Sequence, residues 1–155
     1  MIKIGVIGGE NPKGDILNLA FEVGKEIARN NCVLVCGGLS GIMEYACKGA
    51  KAENGLTIGI LPGVDASLSN PYVDIPIVTG IGYARNMIVV LSSDVVIAID
   101  GSYGTLSEIA YALQFKKPII GLYTWDFKYE PLSEIPIIKA DNPKSAVSEA
   151  LKYRT

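Results

Sequence analysis

Short apolar runs, several of them ending at glycine, alternate with amphipathic stretches along this chain, and that alternation constrains its fold more than any other feature. Residues 2–7, 33–36, 56–61, 72–78, 95–99 and 118–123 read as strands. Between them, apolar residues return at helical spacing: across 15–30, Ile16, Ala20, Val23, Ile27 and Ala28 share one face, opposite Asn18, Glu22, Lys25 and Arg29. Residues 41–51 and a stretch from Thr105 to about Phe115 read as further helices, and Asn142-Pro143 opens a last one, with an N-cap Asn and Pro in the first helical position. Continuously apolar strands separated by helices predict an α/β fold: a Rossmann-like, open, mainly parallel sheet flanked by helices on both faces. Pro76 puts the fourth run at an edge, 95–99 is expected at the centre, and 62–71, rich in Pro, Gly, Asp, Ser and Asn, is expected as a surface loop. A chain of 155 residues without repeat or linker reads as one domain spanning 1–155.

Composition then narrows the chemistry. The chain has no histidine, which excludes Ser-His-Asp and Cys-His nucleophiles, histidine metal ligands and a histidine pH switch. Fourteen basic against sixteen acidic residues, with no basic run longer than Lys116-Lys117, leave no electrostatic footprint for a nucleic acid. Cys32, Cys36 and Cys47 are odd in number, lack CxxC spacing and sit in apolar stretches, so free buried thiols and a reducing cytoplasm are expected, with no metal site. The apolar start at 2–7 is too short for a signal peptide or a membrane span. Residues 82–92 are apolar around most of a helix apart from Arg85 and Asn86, which predicts cover from a second subunit and hence a homodimer or higher homo-oligomer.

Ligands of open parallel sheets bind outside the carboxyl ends of the strands, and the glycines collect there. Gly8-Gly9, Gly37-Gly38 with Gly41, and Gly101 with Gly104 follow three different strands. Glycine lets backbone approach a ligand and a helix start presents unpaired amides to an anion, so a phosphate-bearing ligand is expected. A tight strand-to-helix turn favours the same residue. Neither standard motif is met: Gly9 to Gly14 has the GxxxxG spacing, but Asp15 follows where a P-loop needs Lys, and GxGxxG is absent after the first strand. The sharpest segment is 100–108, DGSYGTLSE, where Gly101, Ser102, Tyr103, Gly104 and Thr105 are candidate phosphate holders. Thr105 and Glu108 also have the T-x-x-E spacing of a capping box, which would give both a purely structural task. Arg85, opening an apolar helix, needs an anionic partner, either an internal carboxylate such as Glu108 or a ligand phosphate. Tyr103 is suited either to lie over a ligand ring or to shield the loop. Trp125 with Tyr123, Phe127 and Tyr129 reads as a packed surface cluster or subunit contact in preference to a base-stacking platform.

Taken together, LVCGGLSGIMEYACKGAKAENGLTIGILPG (34–63) and ARNMIVVLSSDVVIAIDGSYGTLSEIAYAL (84–113) resemble the LOG-like superfamily of Rossmann-type nucleotide-binding proteins, once labelled lysine decarboxylases. Ala84-Arg85-Asn86 and the compact length are most similar to the branch of the molybdenum cofactor carriers. The other branch holds cytokinin-activating phosphoribohydrolases, which carry PGGxGTxxE and an Arg-Lys pair. Here Asp100, Ser102 and Asn86 stand in place of the proline, second glycine and lysine, while Arg85, Gly101, Gly104, Thr105 and Glu108 are retained. The resemblance implies a carrier that binds a nucleotide or the molybdenum cofactor, a molybdopterin, without turnover. The alternative it implies is hydrolysis of the N-glycosidic bond of a nucleoside 5'-monophosphate, with Glu108 stabilising positive charge on the ribose, Arg85 positioning phosphate or Glu108, and no cofactor required. Lysine decarboxylation is set aside, because no lysine is marked as a cofactor-linked nucleophile.

Overall fold

The computed structural model describes residues 1–127 and 136–154; Tyr129 lies outside them. In chain order the elements are β1 (Lys3–Gly8), α1 (Ile16–Arg29), β2 (Val33–Cys36), α2 (Ile42–Ala52), β3 (Leu56–Leu61), β4 (Ile75–Val78), α3 (Arg85–Ser92), β5 (Val95–Ile99), α4 (Tyr103–Gln114), β6 (Ile119–Leu122), β7 (Ile137–Lys139) and α5 (Pro143–Leu151). The strands form one sheet in the order β4-β3-β2-β1-β5-β6-β7, with every pairing parallel. No helix among the described residues is long and apolar enough to cross a membrane.

Both faces of this sheet are covered, and the period of two along each strand decides what each face meets. Val95, Ile97 and Ile99 of β5 join Ile4, Val6, Leu34 and Cys36 in a core shared with α1, α2 and α5. Val96 and Ala98 point the other way, into a core built with Val89 and Val90 of α3 and Ile109 and Ala112 of α4. The predicted doubly flanked α/β sheet is therefore the observed one. Asn142 caps α5 as expected: its side chain accepts the Ser145 amide at 2.9 Å, Ser145 Oγ returns to the Asn142 amide, and Pro143 follows.

Four local differences separate the expectation from the structure, two of them with a direct physical cause. Residues 72–74 are outside β4, because the Asp74 carboxylate accepts the Thr57 amide at 3.0 Å and binds Lys51, replacing ladder bonds. β4 is at the edge, as Pro76 required. The middle strand is β1, with β5 beside it, and not β5 itself. β7 was not expected: three residues are too few to show a period, and pairing with β6 creates it. Residues 82–84 form a 3-10 turn ahead of α3.

α1 and α2 approach closely through reciprocal glycines. A Cβ on Gly24 would stand 1.9 Å from the Ala46 carbonyl oxygen, and one on Gly49 would stand 1.9 Å from that of Phe21. An alanine in an exposed helix gains about 1 kcal/mol over glycine; here the helices must separate instead. Gly24→Ala and Gly49→Ala are each expected to lower stability by about 1 to 3 kcal/mol, read as a fall in the urea midpoint. An unchanged or raised midpoint would show that the two helices are not locked at this distance.

Candidate functional site

The order of strands reverses between β1 and β5, the place where an open parallel sheet leaves a crevice outside its strand ends. There Gly9 lies against the phosphate-loop candidate, its Cβ position 3.8 Å from Gly101 Cα. Two glycines are forced by geometry. Gly41 has φ +71° and a Cβ there would be 2.4 Å from the carbonyl oxygens of Gly9 and Glu10; Gly101 has φ +126°, with its Cβ position 2.5 Å from Thr105 Cβ. Gly8, Gly37 and Gly38 are closely packed against Ile42, Arg85 and Leu61 respectively, whereas Gly104 meets only an ordinary contact with Asn86. Packing thus accounts for most of these glycines, and their shared edge is a property of the topology.

The helix that follows β5 begins at Tyr103, with Ser102 as N-cap and no side-chain cap. Thr105 is therefore inside the first turn and Glu108 in the second, so the capping-box reading of T-x-x-E fails. The amides of 103–105 have no acceptor within the helix. Thr105 is buried and its hydroxyl has no hydrogen-bond partner. Tyr103 is 84% exposed.

Arg85 starts α3 and is buried. Nη2 donates to the Gly37 carbonyl at 3.2 Å, Nη1 donates to Asn86 Oδ1, and the buried Nε has no partner. Among the described residues no carboxylate pairs with it, so Glu108 acts on it only across a longer distance. Asn86, read from the sequence only as a departure from lysine, is the brace: its Nδ2 donates to Ser107 Oγ at 3.0 Å and reaches the Gly104 carbonyl at 3.5 Å, tying the start of α3 to the first turns of α4. An asparagine beside an arginine on an otherwise apolar helix was the signal available for it. Behind Gly37-Gly38, Cys36 and Cys47 are free, buried thiols 3.5 Å apart, in keeping with the expectation for the cysteines. Among the described residues no cluster has the makings of a metal site.

Burial pushes the Glu108 carboxyl up to about 8, with the Arg85 charge pulling it down. Burial in turn lowers Arg85, with Glu108 the largest opposing influence; a guanidinium nonetheless stays charged. At neutral pH the crevice therefore combines a buried cation, an unpartnered hydroxyl, a largely protonated carboxyl and the open amides of α4. That set is suited to an anion with several oxygens. Because Glu108 binds its proton more tightly when folded than at its ordinary value of 4.5, its contribution to stability is complete below about pH 4.5 and is lost as the pH rises toward 8, by at most about 1.4 kcal/mol per pH unit. The difference between wild-type and Glu108→Gln stability should follow that slope in denaturant titrations from pH 4.5 to 9; a constant difference would place an ordinary carboxylate at Glu108.

The fold recurs in known proteins. The molybdenum cofactor binding protein of the phototrophic bacterium Rippkaea orientalis superposes with a TM-score of 0.92 and 42% identity, covering 99% of this chain and 98% of that one. The molybdenum cofactor carrier protein of Chlamydomonas reinhardtii gives a TM-score of 0.87 and 37% identity over the same shares. A cytokinin riboside 5'-monophosphate phosphoribohydrolase of Mycobacterium tuberculosis is 33% identical over 120 residues, 72% of this chain and 64% of that enzyme. The SLOG cluster4 family model matches residues 1–148. This chain belongs to the SLOG cluster4 family, within the LOG-like superfamily that its two glycine-rich segments resemble.

Proposed function

We propose that this protein holds a phosphate-bearing ligand at the carboxyl edge of its sheet, with a molybdopterin such as the molybdenum cofactor as cargo, and releases it unchanged. The observation that carries the reading is the buried Arg85 guanidinium, which among the described residues has no carboxylate on it and an unpartnered Nε, in the same crevice as the unpartnered Thr105 hydroxyl. Isolated buried charge costs several kcal/mol; a ligand phosphate would offset it through bidentate, charge-assisted bonds. The residues present thus fit a phosphate. In this reading Arg85 and Thr105 bind it, the amides of Gly101, Ser102, Tyr103, Gly104 and Thr105 surround it, Asn86 and Ser107 fix the arginine's helix, and Gly8, Gly9, Gly37, Gly38 and Gly41 let the backbone pack closely at the edge of the approach. The net charge of -2 gives no electrostatic support for a nucleic acid as partner. We read residues 1–155 as one cytoplasmic domain of this kind.

The second reading, hydrolysis of a nucleoside 5'-monophosphate, rests on the retained Glu108 and on the likeness to the mycobacterial enzyme. The environment of Glu108 favours holding over cutting. A carboxyl pushed up to about 8 is largely neutral at pH 7 and stabilises a positively charged ribose poorly. Wild-type protein is expected to copurify with a pterin that fluoresces after oxidation, Arg85→Ala to lose at least nine-tenths of it, and neither to release ribose 5-phosphate from a panel of nucleoside monophosphates. Ribose 5-phosphate release that disappears in Glu108→Ala would replace the carrier with the hydrolase.

We also propose that the protein is a homodimer or higher homo-oligomer built on the β4 side. Residues 62–93 carry three charged side chains: Asp65 caps a turn, Asp74 pairs with Lys51 and Arg85 is buried. Around them Val64, Ile75, Ile77, Ile81 and Tyr83 are exposed, and Leu91 on α3 is 47% exposed. A two-fold interface sets one patch against itself and so must avoid like charges, which this sparsely charged surface largely does. Sedimentation should show at least a dimer, with Ile77→Glu shifted to monomer at an unchanged far-ultraviolet spectrum; a monomeric wild type at micromolar concentration contradicts it.

A further inference from the structure

A second concavity lies on the other side of the phosphate-loop candidate, between the ends of β6 and β7. Its volume is about 350 Å3, and Gly121, Trp125, Phe127, Lys139, Ala140 and Asp141 are among its lining residues. The space has a local origin. Gly121 contributes no side chain and Ala140 only a methyl, and the Ala140 amide donates to the Gly121 carbonyl at 2.9 Å. Beyond them Tyr123 takes a left-handed turn, φ +53°, at the end of β6.

The wall facing this space is aromatic and braced. The Trp125 and Phe127 rings are parallel within 9°, with centroids 6.2 Å apart. Trp125 Nε1 donates to the Ser102 carbonyl at 3.3 Å, and Thr124 Oγ1 donates to the Asp100 carbonyl at 2.6 Å. The side-chain polar hydrogens of Thr124 and Trp125 are thus committed to the backbone of the loop that enters α4, and the two rings, partly packed against the α3–α4 core, also line the space. At the rim Lys139 pairs with Asp126 at 3.0 Å, and Asp141 adds a second carboxylate. A core of this size would be filled by side chains; a cleft of about 300 Å3 or more with an aromatic wall and a few charged groups is the form of a small-molecule site.

We propose that this cleft takes a planar nitrogen heteroaromatic ring of the purine or pterin kind. The ring would stack on the Trp125–Phe127 surface, with exocyclic amino groups donating to the Asp126 or Asp141 carboxylates. Trp125 and Thr124 each bond the loop that carries Gly101 and Ser102, so the ring site and the phosphate site share a wall. The proposal deepens the reading above and rests on it only for what the ring is attached to.

Trp125 is the sole tryptophan and reports on the cleft. Its fluorescence would be titrated in the wild-type protein with adenosine, guanosine and free pterin, and with inorganic phosphate and ribose 5-phosphate as ring-free probes. At least one phosphate-free ring compound is expected to quench it saturably. By calorimetry that affinity should fall at least about 5-fold in Phe127→Ala and Trp125→Ala, while Arg85→Ala leaves it unchanged and weakens inorganic phosphate. Absence of saturable quenching by every ring compound overturns the ring site, as does a ring affinity unaltered in both aromatic variants. The two readings fail separately. Phosphate binding without ring binding refutes the cleft alone, and ring binding at Trp125 without phosphate binding refutes the Arg85 site and upholds the cleft. Which ring binds more tightly separates purine from pterin.

Discussion

Five consecutive residue pairs join β1 to β5, from Ile4 with Val95 to Gly8 with Ile99, and the functional architecture depends on that seam. It sews the chain's first strand to one that begins at residue 95, and from it the sheet grows outward in both directions. On one side lie β2, β3 and β4, on the other β6 and β7. The helices that follow β1 and β5, α1 and α4, cover opposite faces, so their connections part above the seam and leave the crevice open. Gly9 and Gly101 meet there because their strands are neighbours, although more than ninety residues separate them in sequence.

Around that crevice the fold leaves several polar groups incompletely satisfied. Arg85 is held by the Gly37 carbonyl and by Asn86, and among the described residues no carboxylate forms an ion pair with it. Internal pairing would have made a structural salt bridge and closed the site. Instead Asn86 spends its own amide on Ser107 and Gly104, which holds the guanidinium's helix against α4 without cancelling its charge. Glu108 is near enough to feel Arg85 and too desolvated to ionise readily. Under the proposed function, the balance between holding a ligand and cutting it would turn on how a bound phosphate redistributes charge between these two side chains.

Much of the fold was legible because its strands are apolar without interruption and its helices show one apolar face. β1, β2, β3, β5 and β6, and the Asn142-Pro143 cap, follow from local pattern alone. What local pattern hides is partner-dependent. β7 exists only through β6, and residues 72–74 lose strand bonding to a single carboxylate at Asp74. At the site, Arg85 stood out as a charge on an apolar helix. Thr105 and Glu108 remained ambiguous until the start of α4 at Tyr103 removed the capping box. The aromatic group at Trp125 and Phe127 was read as packing, and both rings do pack against the α3–α4 core; the cleft beside them was hidden, because it needs the pairing of β6 with β7 and the turn at Tyr123.

The position of β1 also has a consequence during synthesis. A strand in the middle of a parallel sheet needs neighbours on both sides, and β1 gains β2 from residue 33 but waits for residue 95 on its other side. At translation rates of about 5 to 20 residues per second, its open edge is exposed for several seconds while β2, β3 and β4 collect on the opposite side. The nascent chain thus holds an apolar, hydrogen-bond-ready strand in the open until β5 emerges. The pairing that creates the crevice is also the one that ends this exposure, so a chain stalled before residue 95 would present the ribosome's surroundings with a half-sheet that has no binding site and a free edge to share.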